Sequence, residues 1–260
     1  MRNGVGLGAV AVALLLALVC EAGLAQMGPR YVIDAAAGAD VGGPARGSVQ
    51  LAGKGLALIR FRGLRVLAVG TDADAYSAES VRDWPAADLV LVTPANVGRY
   101  DGLAPLAALR RLPVILVEPS DGATVPPLPA RSSVSMRDDG PRYYPMQTWD
   151  ALHLRKGKGR SQDKTWLRVT AVPGLPGTAH VAGFVLEMGN RQTSYRLYVS
   201  CEALAADDVD GLSRRLPGAD LALLPARDGP RLLPLRRAGG ETSEPAALTA
   251  AGYPFSAIRR

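Results

Sequence analysis

Asp88-Leu-Val-Leu-Val-Thr-Pro-Ala-Asn-Val-Gly-Arg-Tyr-Asp-Gly-Leu103 is the stretch that decides the fold of this chain. Residues 89–92 are apolar at every position, so they read as a strand covered on both faces, the pattern of a buried sheet rather than of a half-solvated hairpin. A short polar loop follows, and a helix opens near Asp101, runs over residues 103–111 and stops before Pro113. The loop holds Asn96, Gly98 and Arg99. Asn and Asp in such a turn ordinarily hydrogen-bond the loop to itself. The alternative is that Arg99, Asn96 and Asp101 form a polar floor able to bind an anionic group.

Outward from this stretch the same grammar repeats. Residues 56–62, Gly63 and residues 64–69 read as a hairpin with a tight glycine turn. Gly70-Thr-Asp-Ala-Asp-Ala75 is a polar loop, and residues 77–82 are a short helix opened by Ser77 with Glu79 in its first turn. Trp84-Pro85 breaks the chain before the strand at 88–93. Val114-Ile-Leu-Val117 is another fully apolar strand. Residues 119–147 are rich in Pro, Ser, Asp and Gly and form a long irregular connection, either a loop over a site or a solvated insertion. The second half has strands at 149–154 and 166–172 and a hairpin at 182–187 and 195–200. A helix at 205–216 and a buried strand, Asp220-Leu-Ala-Leu-Leu224, complete it. Strands alternating with short helices define an α/β chain with two halves of similar element order.

Composition agrees with one exported domain. Of 260 residues, 48% are hydrophobic, enough for one large core. The net charge is +6, but acidic residues are interspersed with the basic ones. The densest basic run, Arg155-Lys-Gly-Lys-Gly-Arg160, contains two glycines and no aromatic residue, so it reads as a solvated hairpin loop and nucleic acid is not the expected partner. Arg2, the apolar run at 5–19 and the small residues before Gln26 follow the order of a secretory signal peptide cut after Ala25. That run is shorter than the ~20 apolar residues that span a bilayer, so no permanent membrane anchor is expected. Cys20 lies in the leader, where lipidation is the minor alternative because Val19 is bulky. A mature chain therefore holds Cys201 alone and no internal disulfide. The expected organisation is a signal peptide at 1–25, an N-terminal segment at 26–54 and a single domain at 55–260, with a periplasmic or secreted location.

The order of elements resembles the metallo-β-lactamase superfamily. Residues 55–69 look like its opening hairpin and 87–93 like the strand before its metal loop. Leu167-Arg-Val-Thr-Ala-Val-Pro173 resembles the strand leading to the third-histidine loop, residues 183–187 and 196–200 the hairpin before the bridging aspartate, and 219–225 the following buried strand. The resemblance covers 55–225 and implies a four-layer αβ/βα sandwich, two mixed β-sheets flanked by helices, with a site at one edge between the sheets. It also implies that the ligands are gone. The positions expected to read His, His, Asp and His in H-x-H-x-D-H are Pro94, Asn96, Gly98 and Arg99. Proline offers no ligand atom, glycine no side chain, and arginine a permanent cation. After Pro173 the family has P-A-x-H; this chain has Gly174, Leu175 and Pro176. Ser-Gly-Asp is replaced by Ser200-Cys201-Glu202, and no histidine follows His180.

Other constellations compete with packing roles. Outside the leader the chain has only His153 and His180, too few for dinuclear zinc even with Glu202. His153 reads as a strand residue, and His180, close to the altered Pro173 loop, reads as a structural residue or as facing the old pocket. Cys201 with His180 as base and Asp101 as orienter would make a thiol enzyme, whereas a free cysteine filling buried space is the simpler role. No P-loop, dinucleotide glycine motif or G-x-S-x-G elbow occurs. The expected function is a non-catalytic exported scaffold without a cofactor, binding an unidentified small molecule or protein. A metal-dependent hydrolase with displaced ligands and a Cys201-based enzyme are the alternatives.

Overall fold

Leu89 and Leu91 point to one side of their strand and Val90 and Val92 to the other, and each side meets a different core. That is the period-2 alternation of a strand carried out in a layer buried on both faces. The computed structural model describes residues 29–35, 45–70, 76–94, 100–118, 140–157, 164–174, 180–190, 192–235 and 244–259.

The strand Leu89–Val92 (β5) lies parallel to β4 (Leu64–Val69) and β6 (Pro113–Val117) in a seven-stranded sheet. Its order is β15-β2-β3-β4-β5-β6-β7, with β2 Arg46–Gly53, β3 Leu56–Phe61, β7 Arg142–Met146 and β15 Tyr253–Ser256. The second sheet, of nine strands, runs β1-β8-β9-β10-β11-β12-β13-β14. Here β1 is Tyr31–Ala35, β8 Ala151–Lys156, β9 Thr165–Pro173, β10 Val181–Gly189 and β11 Thr193–Ser200. The rest are β12 Leu221–Leu224, β13 Arg231–Pro234 and β14 Ala246–Ala247, while β16 (Ile258–Arg259) pairs with the start of β11. Both sheets mix parallel and antiparallel pairs.

Three cores define the layers. Between the sheets, Ile59, Phe61, Leu89, Leu91 and Ile115 of one meet Leu154, Val169, Phe184, Leu197 and Leu221 of the other. On the outer face of the seven-stranded sheet, Val90, Val92, Val114 and Leu116 pack under Val81, Leu103 and Leu106 from short helical turns. On the outer face of the nine-stranded sheet, Val172, Tyr198 and Ala222 pack under Leu212 of the helix Ala206–Arg215. The result is the expected αβ/βα sandwich of two mixed sheets, with few helices. Leu89, Leu91, Val114, Leu116, Leu221 and Leu223 are all buried, as the apolar runs require. Of these, Leu89, Leu91, Leu221 and Leu223 face the opposite sheet rather than a helix.

Several details differ from the sequence reading. The helix expected over 103–111 is an α-helical turn, Tyr100–Leu103, continued as a 3-10 turn, Ala104–Ala108. Pro105 has no N–H to continue the ladder, which accounts for the change. The helix at 77–82 is a 3-10 turn at Ser80–Asp83, with the Ser80 N–H donating to Ser77 Oγ at 3.1 Å. Strands β1 and β2 lie before Gly55 and belong to the two sheets, so the sandwich takes in part of the 26–54 segment. Strand β7 falls inside the connection read as irregular.

Candidate functional site

The carboxyl ends of β4, β5 and β6 point to one edge of the sandwich. Thr93 closes β5 there, its N–H and Oγ1 both donating to Val69 O at 3.1 and 2.9 Å. Pro94 follows and is buried. Asn96, Gly98 and Arg99 lie outside the described residues, as does Pro176. Asp101 is placed as a backbone residue of the turn Tyr100–Leu103. That turn is pinned by two tyrosines the sequence reading did not single out. Tyr76 Oη donates to Gly102 O at 2.5 Å and Tyr143 Oη to Leu103 O at 3.5 Å, and burial pushes both phenols above their usual range.

From the nine-stranded sheet, the end of β9, the start of β10 and the end of β11 bring Gly174, His180 and Glu202 together. A Cβ added at Gly174 would lie 3.1 Å from Ala182 Cβ and 3.9 Å from Glu202 Oε1. His180 Nε2 lies 3.6 Å from Glu202 Oε2, with the two side chains 53% and 50% exposed. Of the positions singled out in the sequence, His180 and Glu202 lie side by side here. Cys201 does not join them chemically. Its backbone N–H donates to Ala182 O at 2.9 Å, and its side chain enters the core between the sheets. Burial, and secondarily the Glu202 carboxylate, push its thiol well above the cysteine range. A thiol held protonated at neutral pH is a packing group rather than a nucleophile.

The donor set can be tested against zinc, the metal the resemblance implies. One imidazole and one carboxylate are present where a catalytic zinc takes three protein ligands and an open position. Pro94 and Gly174 add nothing, and among the described residues no group of three His, Cys, Asp or Glu side chains comes together. The described residues do not fit such a metal centre.

Ion pairs hold the two sheets together at both ends instead. At the site end, Arg30 Nη1 reaches Glu118 Oε2, which follows β6, at 3.0 Å, and also Asp150 Oδ2, which precedes β8. At the far end, Lys156 Nζ lies 2.7 Å from both Asp88 oxygens and 2.7 Å from Gly63 O. Lys156 is 3% exposed and Asp88 17%. Lys156 departs from the solvated loop expected for the basic run at 155–160. Its place in the β8 alternation turns it inward, where the Asp88 carboxylate compensates it. The alternating pattern of residues 151–156 was the available signal.

No family model matches the chain, and no curated protein matches it. Among solved structures, the chain is similar to a B3 metallo-β-lactamase with an active-site glutamic acid. The two are 16% identical over 70% of this chain and 75% of that one, with a TM-score of 0.35. It is also similar to the metallo-β-lactamase fold protein YhfI from Bacillus subtilis, at 10% identity over 68% and 70% with a TM-score of 0.33. A third is MEM-A1, a subclass B3 metallo-β-lactamase from a soil metagenome library, at 14% identity over 71% and 78% with a TM-score of 0.34. The chain's own layers and sheet order make it a metallo-β-lactamase-like sandwich. The activities in those names belong to those proteins.

Proposed function

We infer that the chain is a non-catalytic, exported metallo-β-lactamase-like protein that serves as a binding scaffold. The observation that carries this reading is the composition of the old ligand positions. By sequence Pro94 and Pro176 have no metal-binding side chain, and among the described residues of the cluster the two groups that could bind metal, His180 and Glu202, lie 3.6 Å apart. The cross-sheet pairs of Arg30 and Lys156 give the edges a fastening that needs no metal. Fold alone does not confer a reaction, so retention of the sandwich supports a scaffold and no particular chemistry. Export rests on the leader-like order of residues 1–25, and among the described residues no helix is long and apolar enough to cross a membrane.

Zinc content of the purified protein tests this directly, together with hydrolysis of a chromogenic β-lactam before and after chelation. The expected result is no stoichiometric zinc and no chelator-sensitive turnover. About two zinc ions per chain, with turnover abolished by chelator and restored by zinc, would overturn it in favour of a hydrolase with displaced ligands. Mass analysis of the exported protein should give a chain beginning at or near Gln26.

A further inference from the structure

Among the described residues, the outer face of the nine-stranded sheet is covered over part of its width only. The Ala206–Arg215 helix lies over β11 to β13, where Leu212 packs on Tyr198 and Ala222. Toward β8, strand register instead lays a row of polar side chains across the face: His153 opposite Arg168, Arg168 opposite Glu187, and Glu187 opposite Arg196. Where the two regions meet there is a cavity of about 590 Å³. That is the size of a small-molecule site, roughly 300–1,000 Å³.

The lining of this cavity is divided by chemistry. Val172, Val185, Tyr198, Leu212 and Leu216 supply apolar surface. Trp149 stands at the same cavity, 69% exposed and at φ 69°, a left-handed conformation that bulky residues seldom adopt. Its backbone N–H donates to Ala171 O at 2.8 Å, which holds that turn against β9. An exposed indole beside an apolar floor is a group able to cover a ligand.

The charges are unequal. Glu187 Oε1 is taken by Arg196 Nε at 3.1 Å and by Ser194 Oγ at 3.1 Å, and Arg215 is paired with Asp208 at 3.2 Å. Arg168 lies across from Glu187 in register, yet among the described residues it has no ion-pair partner. Among the described residues the wall therefore carries one guanidinium outside any ion pair, and a guanidinium presents a planar fork that matches a carboxylate.

We propose that this cavity binds a single-chain alkyl carboxylate, its tail on Val185, Tyr198 and Leu216 beneath the Trp149 indole and its carboxylate on Arg168. A neutral amphiphile leaves the guanidinium unanswered, and a multiply charged head group brings more anion than one arginine neutralises. The proposal rests on the binding-scaffold reading for its role and deepens it. Zinc content and hydrolysis test that reading independently, so either can fail alone.

The experiment titrates the purified chain with dodecanoate below its micelle concentration, followed by tryptophan fluorescence and calorimetry. Dodecyltrimethylammonium provides the same tail with the opposite head. The expected result is saturation at one dodecanoate per chain, at least tenfold weaker binding of the ammonium, and at least tenfold weaker dodecanoate binding by Arg168→Gln. Arg168 is exposed, so this variant should keep its fold, which an unchanged melting curve checks. Failure to saturate, equal affinity for the two head groups, or undiminished binding by Arg168→Gln would each overturn the proposal.

Discussion

Lys156→Ala removes a cation that is almost completely enclosed, and the cost can be worked from its surroundings. Its Nζ lies 2.7 Å from each Asp88 oxygen and from Gly63 O, so one deletion strands a carboxylate and a carbonyl. Breaking a buried pair by removing one partner costs about 3–5 kcal/mol. Asp88 is 17% exposed and still accepts the Arg65 N–H at 2.8 Å, which sets the expected loss near the lower bound, about 3 kcal/mol. At roughly 2–4 °C per kcal/mol for a domain of this size, Tm should fall by about 6–12 °C. Urea denaturation should show a lower midpoint with an unchanged slope. Adding Asp88→Asn to the alanine variant should recover part of the loss, because no uncompensated carboxylate remains. A loss below about 1 kcal/mol would place the pair with ordinary solvated ion pairs and refute its role as a fastening between the sheets.

A Cβ built at Gly183 overlaps the Tyr198 ring, so Gly183→Ala should cost about 1–3 kcal/mol in urea titration; a neutral result would mean that the ring moves freely. Leu91→Ala opens the core between the sheets and should cost about 2–5 kcal/mol, and a much smaller value would deny the strand its central position. Burial, and then Arg168 and Arg155, hold the His153 imidazole below the usual histidine range. As pH falls through about 6.5 the unfolded chain takes up that proton first, so the associated stability is present above this pH and lost below it. His153→Gln should therefore flatten the decline between pH 7 and 5, and an unaltered decline would sink the assignment. Cys201 should resist a thiol reagent in the folded protein and react fully after unfolding; rapid labelling of the native state would reopen the thiol chemistry.

What could be read in the sequence was whatever is local. The strands at 89–92, 114–117 and 221–224 announce themselves by unbroken apolar character, and the helix found at Ala206–Arg215 by acidic residues at its start and basic ones at its end. What escaped depends on distant partners. Strand β2, Arg-Gly-Ser-Val-Gln-Leu-Ala-Gly, has too little alternation to declare itself and is fixed by β3 on one side and β15 on the other. Of the candidate site, the sequence places His180 close to the Pro173 loop, whereas its 3.6 Å approach to Glu202 is seen only in the fold. The Lys156–Asp88 and Arg30 pairs did not, because ionic partners 68 to 120 residues apart leave no mark in spacing. Of the polar floor formed by Arg99, Asn96 and Asp101, Asn96 and Arg99 fall outside the described residues.

Strands β15 and β16 are separated only by Ala257, yet one completes the seven-stranded sheet beside β2 and the other pairs with β11 in the nine-stranded sheet. Phe255 lies between them in effect, its ring 6.2 Å from Phe61 and 4.0 Å from Tyr195, one from each sheet. This short run therefore acts as a clasp that is synthesised after the other described strands. Until it is, the nascent chain carries two unfilled strand edges, and such edges are templates for pairing with other chains. Quality control during synthesis should thus turn on residues 253–259, far in sequence from the strands whose edges they fill.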